Sequence, residues 1–215
     1  MNAHSRPLIE HYVLCIGMDD WASDARTMGD LFVEELRYPP EHVHILNKGK
    51  GPTRKEVLDD IASFNTRSFG PKDVFILFYS GHGSLDDKGR FMFNTRDGKM
   101  SRSEMMEAVT RLGPQNAVFI IDACYSGRFQ AFDENAANIS TAVLAASRSD
   151  ERVWTGNHKQ SFTDSFRDHC KALIEEKNRV DLFSIANAMG SLLHFSSHQW
   201  NNKGLSIGPL SQVSV

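Results

Sequence analysis

The residues best suited to chemistry in this sequence are a cysteine and a histidine that each follow an apolar run. Cys124 follows the run VFIIDA, and His82 follows the run VFILFYSG. Such runs are typical of strands that are buried on both faces of a parallel sheet, although periodicity alone also allows a buried helix segment. Ligands of parallel sheets bind at the carboxyl ends of the strands. A thiol and an imidazole at that edge would supply a nucleophile and a general base.

A structural role for both residues is the competing interpretation. Free cysteine is among the most buried residue types and usually behaves as a small apolar residue, and a histidine beside glycines is often only a turn residue. Glycine and serine flank both residues, however, and small neighbours let a substrate backbone approach closely. Spacing alone leaves the two interpretations open.

The motifs around these two residues, YSGHG and DACYSG, resemble the catalytic signature of the caspase-like cysteine peptidases. That signature is Q-A-C-x-G with a histidine about 50 residues upstream, and here the separation is 42 residues (124 minus 82). Asp122 replaces the glutamine and one extra residue precedes Gly127, so the sequence is more similar to metacaspases and their bacterial relatives, the orthocaspases. The resemblance extends to CIGMDDWASDARTM, AVLAASRSDE and SFTDSF and covers most of the chain.

The resemblance implies a role for each matching residue. Cys124 would be the nucleophile and His82 the general base of a dyad, which needs no acid behind the histidine. The backbone N–H groups of Gly83 and Cys124 would form the oxyanion hole. Three residues match the metacaspase pocket for the side chain before the cut bond: Asp24, Ser80 and Asp122.

The acids of this pocket indicate its specificity. We expect Asp24 and Asp122 at neighbouring strand ends, facing one pocket beside Cys124. Two acids close together raise one pKa unless a cation lies between them, and a substrate arginine or lysine is the obvious cation. Taken alone, Asp24 could also be a solvated acid in the first turn of a helix. The prediction is a cysteine endopeptidase that cuts its protein or peptide substrate after Arg or Lys.

Two alternatives stay open. An enzyme of the same class could cut after Asp, with Arg26 as the pocket cation. A catalytically silent caspase-like module could act through a regulatory partner protein. The intact pair of Cys124 and His82 argues against silence, because a scaffold has no chemical need for either residue.

The chemistry requires no cofactor, but many metacaspases require calcium. The loop acids do not match the family's ligands one by one, so calcium as an activator stays open; they are Asp86, Asp87, Asp97, Asp133 and Glu134. His194 and His198 have the spacing of a metal-binding pair, but no acid or third ligand is near in sequence, and we expect no metal there.

Composition excludes several classes of protein. The 215 residues suit one domain, in which the resemblance implies a large-subunit-like part over about 1–128 and a small-subunit-like part over about 140–215. A net charge of −3 gives no case for nucleic-acid binding, and no run of apolar residues is long enough to cross a membrane. The N-terminus lacks the apolar core of a secretory signal, and the three scattered cysteines do not suggest disulfides. We expect a cytoplasmic, reducing location.

Alternating strand and helix patterns predict an α/β fold with a mostly parallel sheet between helices, the three-layer αβα architecture of caspase-like proteins. A nucleotide-binding doubly wound fold shares this pattern, but no glycine fingerprint follows the first strand. The predicted buried strands are 12–16, the apolar part of the run 74–83, 118–121 and 141–146. A second strand is predicted at 42–46, a hairpin strand at 91–93 and a further strand in the tail 204–215. The predicted helices are 23–36, capped by Ser23; 54–64 and 102–112, each after a capping box; 161–177; and 182–195.

Overall fold

The predicted buried strands form the centre of one sheet. The computed structural model describes residues 9–47, 49–66, 69–130, 139–147, 161–195 and 206–208. Its strands are β1 His11–Gly17, β2 Val43–Leu46, β3 Val74–Ser80, β4 Gly83–Leu85, β5 Phe91–Thr95, β6 Gly98–Ser101, β7 Asn116–Asp122, β8 Ser140–Ala145, β9 Val180–Asp181, β10 Leu192–Phe195 and β11 Ser206–Gly208. Its helices are α1 Ala22–Asp30, α2 Arg54–Ser63, α3 Arg102–Leu112, α4 Phe162–Lys177 and α5 Leu182–Met189.

The main sheet has the strand order β10-β8-β7-β3-β1-β2. Strands β2, β1, β3, β7 and β8 are parallel, and β10 is antiparallel to β8. The register aligns Gly17 with Ser80 and Ser80 with Asp122, so the central strands end at the same level. This arrangement confirms the predicted α/β class and brings the residues after these strands to one edge of the sheet.

Helices cover both faces of the sheet, which completes the three layers. Side chains that alternate along β1 point to opposite faces, with Leu14 in one hydrophobic cluster and Val13 in the other. Helices α2 and α3 pack on the first face, through Val57, Ile61, Met105, Val109 and Leu112. Helices α1, α4 and α5 pack on the second, through Ala25, Met28, Phe166, Cys170 and Ile185. In the described part of the chain, no helix has the length and hydropathy to span a membrane.

The helix starts agree with the sequence except at α1. Both predicted capping boxes are present, Thr53 with Glu56 and Ser101 with Glu104. The prediction that Ser23 caps α1 was wrong, because the chain enters the helix from a 3₁₀ turn, Asp19–Trp21, without a side-chain cap. The predicted extension of this helix toward residue 36 continues as a π-helical turn, Leu31–Glu35.

The predicted helix over 182–195 is two elements. Helix α5 ends at Gly190, whose φ of 62° lies in the left-handed region that favours glycine, and β10 then pairs with β8. The apolar sequence of residues 182–195 suits a helix or a strand. Pairing with β8 at the edge of the sheet makes the second half a strand. His194 lies in β10, whereas His198 lies outside the described residues. In the tail, Ser206–Gly208 forms the predicted strand, paired with β9.

The predicted loop after Gly83 begins as a strand. Gly83–Leu85 forms β4, which pairs with β5, and β5 in turn pairs with β6. The predicted strand at 91–93 is thus the middle of a small three-stranded sheet. This sheet follows His82 directly in the chain.

Candidate active site

The three cysteines occupy different environments. Cys15 in β1 and Cys170 in α4 are fully buried, and burial raises the pKa of each thiol. Cys124, in the turn after β7, is partly exposed. A thiol must be accessible to act as a nucleophile, and of the three cysteines only Cys124 is exposed at all.

The cysteine turn is held by a pair of buried serines. The N–H of Ser126 donates to the hydroxyl of Ser147 (3.1 Å), and the N–H of Ser147 donates to the hydroxyl of Ser126 (3.0 Å). The Ser147 hydroxyl also donates to the carbonyl of Ala123 (3.1 Å). Tyr125 adopts a φ of 60°, which a non-glycine residue keeps only where its surroundings impose it. Ser147, two residues after the end of β8, therefore fixes the backbone on both sides of Cys124.

The backbone of His82 is fixed in a comparable way. Its carbonyl accepts hydrogen bonds from the Tyr79 hydroxyl (2.8 Å) and from the N–H of Asn94 (3.2 Å). Tyr79 is buried, and burial raises the pKa of its hydroxyl. The His82 side chain is exposed. The loop is rigid, while the imidazole remains accessible to a substrate.

Gly83 brings the histidine and cysteine loops together. A Cβ at this position would overlap the carbonyl oxygen of Cys124 and lie 3.1 Å from the Cβ of Ala123. Only glycine allows the two backbones to approach so closely. The structure therefore places the predicted oxyanion residues side by side, with His82 next to them in the chain.

The three predicted pocket residues lie at this edge of the sheet, but not as expected. Asp24 and Asp122 are not at neighbouring strand ends, because β3 lies between β1 and β7 and Asp24 belongs to the first turn of α1. Ser80, at the end of β3, fills the gap. Its buried hydroxyl donates to the carboxylate of Asp24 (2.7 Å).

Thr163 is a pocket residue that the sequence analysis missed. Its hydroxyl donates to the carboxylate of Asp122 (3.0 Å), its backbone N–H also donates to that carboxylate, and its hydroxyl interacts with Asp24. It lies in the first turn of α4, where free N–H groups and the helix dipole favour a negative charge. The segment SFTDSF contains a sequence signal for the position of Thr163. Ser161 caps α4 by accepting a hydrogen bond from the N–H of Asp164, which puts Thr163 at the helix N-terminus.

Burial disfavours the ionised forms of both predicted pocket acids. Burial raises the pKa of Asp122 to about 7; the Thr163 hydrogen bonds oppose this rise, and the nearby Asp24 charge adds to it. Burial also raises the pKa of Asp24, against the hydrogen bond from Ser80 and together with the charge of Asp164. A cation between these acids would relieve their repulsion.

Two of the candidate calcium ligands, Asp86 and Asp97, have other partners. Asp86 accepts hydrogen bonds from the backbone and side chain of Arg90, and Asp97 accepts one from the N–H of Arg54; these contacts lower the pKa of both acids. Asp133 and Glu134 lie outside the described residues. Within the described ranges, no three metal-binding side chains form a group. Calcium as an activator therefore stays open.

Comparison with known proteins agrees with this architecture. The sequence matches the family described as caspase domain, Peptidase_C14, over residues 10–203, a range that contains both motifs. The crystal structure of a structural genomics target from Geobacter sulfurreducens is similar with a TM-score of 0.63 and 16% identity, covering 86% of this chain and 92% of that one. At that identity the likeness shows the fold alone. No curated protein sequence gives a significant match. The family match spans most of the chain, which therefore belongs to the caspase domain family.

Proposed function

We propose that this protein is a cysteine endopeptidase that cleaves peptide bonds after Arg or Lys through a dyad of His82 and Cys124. The observation that supports its specificity most directly is the pair of acids, Asp24 and Asp122, at the same sheet edge as Cys124. Family membership supports the reaction class, since the caspase domain family comprises cysteine peptidases. The partial exposure of Cys124, whose backbone approaches Gly83 closely, supports the assignment of the nucleophile.

The reaction would proceed in two halves. His82 takes the proton of the Cys124 thiol, the thiolate attacks the carbonyl carbon of the bond to be cut, and the N–H groups of Gly83 and Cys124 stabilise the resulting oxyanion. His82 then gives its proton to the leaving amine as the C–N bond breaks, which leaves a thioester. A water molecule, deprotonated by His82, attacks that thioester and releases the acid product and the thiol.

The negative charge of the proposed pocket distinguishes substrates with a basic side chain from those with an acidic one. An arginine guanidinium can make two parallel hydrogen bonds to a carboxylate, and either basic side chain would neutralise the acids. An aspartate side chain would meet like charge in a desolvated pocket, which costs several kcal/mol, on the order of a buried unpaired ion. Arg26, the cation considered for an Asp-specific pocket, is exposed on α1.

Matched fluorogenic peptides that end in Arg, Lys, Asp or Leu test the specificity. We expect native enzyme to cleave Arg and Lys peptides, and Asp24→Ala or Asp122→Ala to lose about 2–5 kcal/mol of transition-state binding for them. Both variants should keep a thiol that reacts with small alkylating agents. If Asp peptides are cleaved best, or if both variants cleave Arg peptides normally, the acidic pocket is wrong.

Labelling of Cys124 by peptide acyloxymethyl ketones separates an enzyme from a silent module. We expect the inhibitor with Arg at the leading position to label Cys124 faster than the matched Asp inhibitor. Denatured protein is the control, because it should react with both at similar rates. Equal, slow labelling of the native protein would indicate a silent caspase-like module.

A further inference from the structure

The segment that joins β1 to α1 packs closely beside the loop that carries His82. A Cβ at Gly17 would lie 2.5 Å from the carbonyl oxygen of Trp21, so the strand end and the following 3₁₀ turn are in direct backbone contact. The N–H of Trp21 donates to the carbonyl of Met18 (2.7 Å), and the N–H of Met18 donates to the carbonyl of Ser80 (3.0 Å). Asp19 adopts a φ of 40°, which is costly for a non-glycine residue. The turn is therefore held in one conformation beside the end of β3.

This turn presents the indole ring of Trp21 to the imidazole ring of His82. The ring centroids are 4.6 Å apart and the planes are inclined by 78°, an edge-to-face arrangement that aromatic rings favour. Within the described ranges of the chain, no hydrogen bond to a ring nitrogen of His82 is present. The His82 side chain is exposed, so few other contacts restrict its rotation.

A catalytic base must hold its ring in one orientation to accept and return a proton at the correct atom. In many enzymes a third polar group fixes that orientation through a hydrogen bond. Here the backbone of His82 is anchored by Tyr79 and Asn94, but that anchoring does not restrict the side-chain torsions. A ring contact from a rigid turn can restrict them.

We propose that Trp21 is a positioning residue that fixes the orientation of the His82 imidazole. The inference rests on the proposed role of His82 as the general base. The indole, held in place by the turn, would restrict the side-chain torsions that the His82 ring can adopt.

Steady-state kinetics with an arginyl peptide measure the contribution to turnover. We expect Trp21→Ala to lower kcat by about 100-fold, comparable to the effect of misplacing a catalytic group by about 1 Å, with KM nearly unchanged. Trp21→Phe keeps an aromatic ring and should recover most of the loss. Phe183→Ala, which removes an exposed aromatic ring from α5, is the matched control and should have no effect. If Trp21→Ala raises KM and leaves kcat unchanged, Trp21 lines a substrate subsite and the proposal is overturned.

Proton NMR tests the ring contact independently of peptide cleavage. In the inactive Cys124→Ala background, the His82 ring protons are assigned by their absence in His82→Gln. The indole ring current should shift these protons from their random-coil positions, Trp21→Ala should return them toward those positions, and Trp21→Phe should give an intermediate shift. Identical spectra with and without the indole would overturn the proposal. If the native protein cleaves none of the peptides, the proposed function fails while these spectra still decide whether Trp21 orients His82.

Discussion

Cys124 and His82 share one proton in the proposed reaction, so their removal should not be additive. We expect Cys124→Ala and His82→Ala each to abolish peptide cleavage, with the double variant hardly worse than either. Cys15→Ala and Cys170→Ala are the controls: both thiols are buried, so these variants should lose stability but keep near-normal turnover per folded molecule. Substantial cleavage by Cys124→Ala would exclude the cysteine peptidase assignment, and an inactive but folded control would indicate a different nucleophile.

The buried carboxyl of Asp122 links stability to pH. Its pKa is about 7 in the folded protein and 3.8 when exposed, so between these values the folded state binds more protons than the unfolded state. The free energy of unfolding therefore falls as pH rises through this window. Asp122→Asn cannot ionise and should be more stable than the native protein by about 2–4 kcal/mol at pH 8, and by little at pH 4.

Urea unfolding at pH 4, 6 and 8 measures this difference. Asp87→Asn, which changes an exposed loop acid, is the matched control and should shift stability little at any of these pH values. A variant at Asp122 that is less stable than the native protein at pH 8, or a gain that does not depend on pH, would show that this carboxyl is not destabilised by burial. The expected result would mean that the pocket sacrifices stability for substrate binding.

At the scale of elements, α4 would support the proposed acidic pocket by stabilising an ionised Asp122. The Thr163 hydroxyl donates to this carboxylate and opposes the rise of its pKa. Thr163→Val keeps the shape but removes the donor, so the pKa of Asp122 should rise further and the carboxylate should be less ionised at pH 7. We expect KM for arginyl peptides to rise by about 10-fold at pH 7, and its increase on acidification to begin at a higher pH. Thr163→Ser, which keeps the hydroxyl, should behave like the native enzyme.

Michaelis constants for arginyl and leucyl peptides between pH 5.5 and 8.5 test this role of α4. The leucyl peptide lacks a cation, so its KM should not follow the ionisation of Asp122. Equal effects of Thr163→Val on both peptides would mean that the threonine supports the fold of the pocket rather than its charge.

Elements whose signals are local could be predicted from the sequence. Apolar runs predicted the central strands, and the capping boxes at Thr53 and Ser101 predicted two helix starts. Each of these signals depends on residues close together in the chain. The prediction failed at residues 182–195, where one apolar segment suits a helix or a strand and pairing with β8 makes the choice. The prediction that Ser23 caps α1 failed because the preceding 3₁₀ turn, which contacts Gly17, already leads into the helix.

At the scale of the whole molecule, the residues of the proposed pocket come from segments far apart in the chain. Asp24 comes from α1, Ser80 from β3, Asp122 from β7 and Thr163 from α4, and only the order of the strands brings them together. Residue types and spacing cannot reveal such a meeting. The family resemblance identified the first three because it carries positional information from folded relatives. It did not identify Thr163 or Trp21, which required the tertiary contacts.

The packing around the cysteine turn bears on maturation, since caspase-like enzymes are often cut after this turn into two subunits. Arg128 is the only basic residue between Cys124 and Ser140. It lies in the 3₁₀ turn Ser126–Gln130, between two buried anchors: Ser126 is bonded to Ser147, and Phe129 packs against Phe119 with ring centroids 5.0 Å apart. A peptidase binds an extended segment, so cleavage after Arg128 would require both anchors to leave the core.

We therefore predict that this enzyme, if its specificity is basic, works as one uncut chain. Intact mass spectrometry of protein labelled by an arginyl active-site inhibitor should show a single species of 24.2 kDa plus the inhibitor. Arg128→Gln removes the only basic site in this segment and should change neither this pattern nor turnover. Fragments that meet within 129–140 would contradict the single-chain prediction, and their disappearance in Arg128→Gln would show that the core anchors open far enough for self-cleavage. Fragments that meet within 148–159 would instead place the cut in the next stretch of the chain that contains basic residues, after β8, and leave the cysteine turn intact.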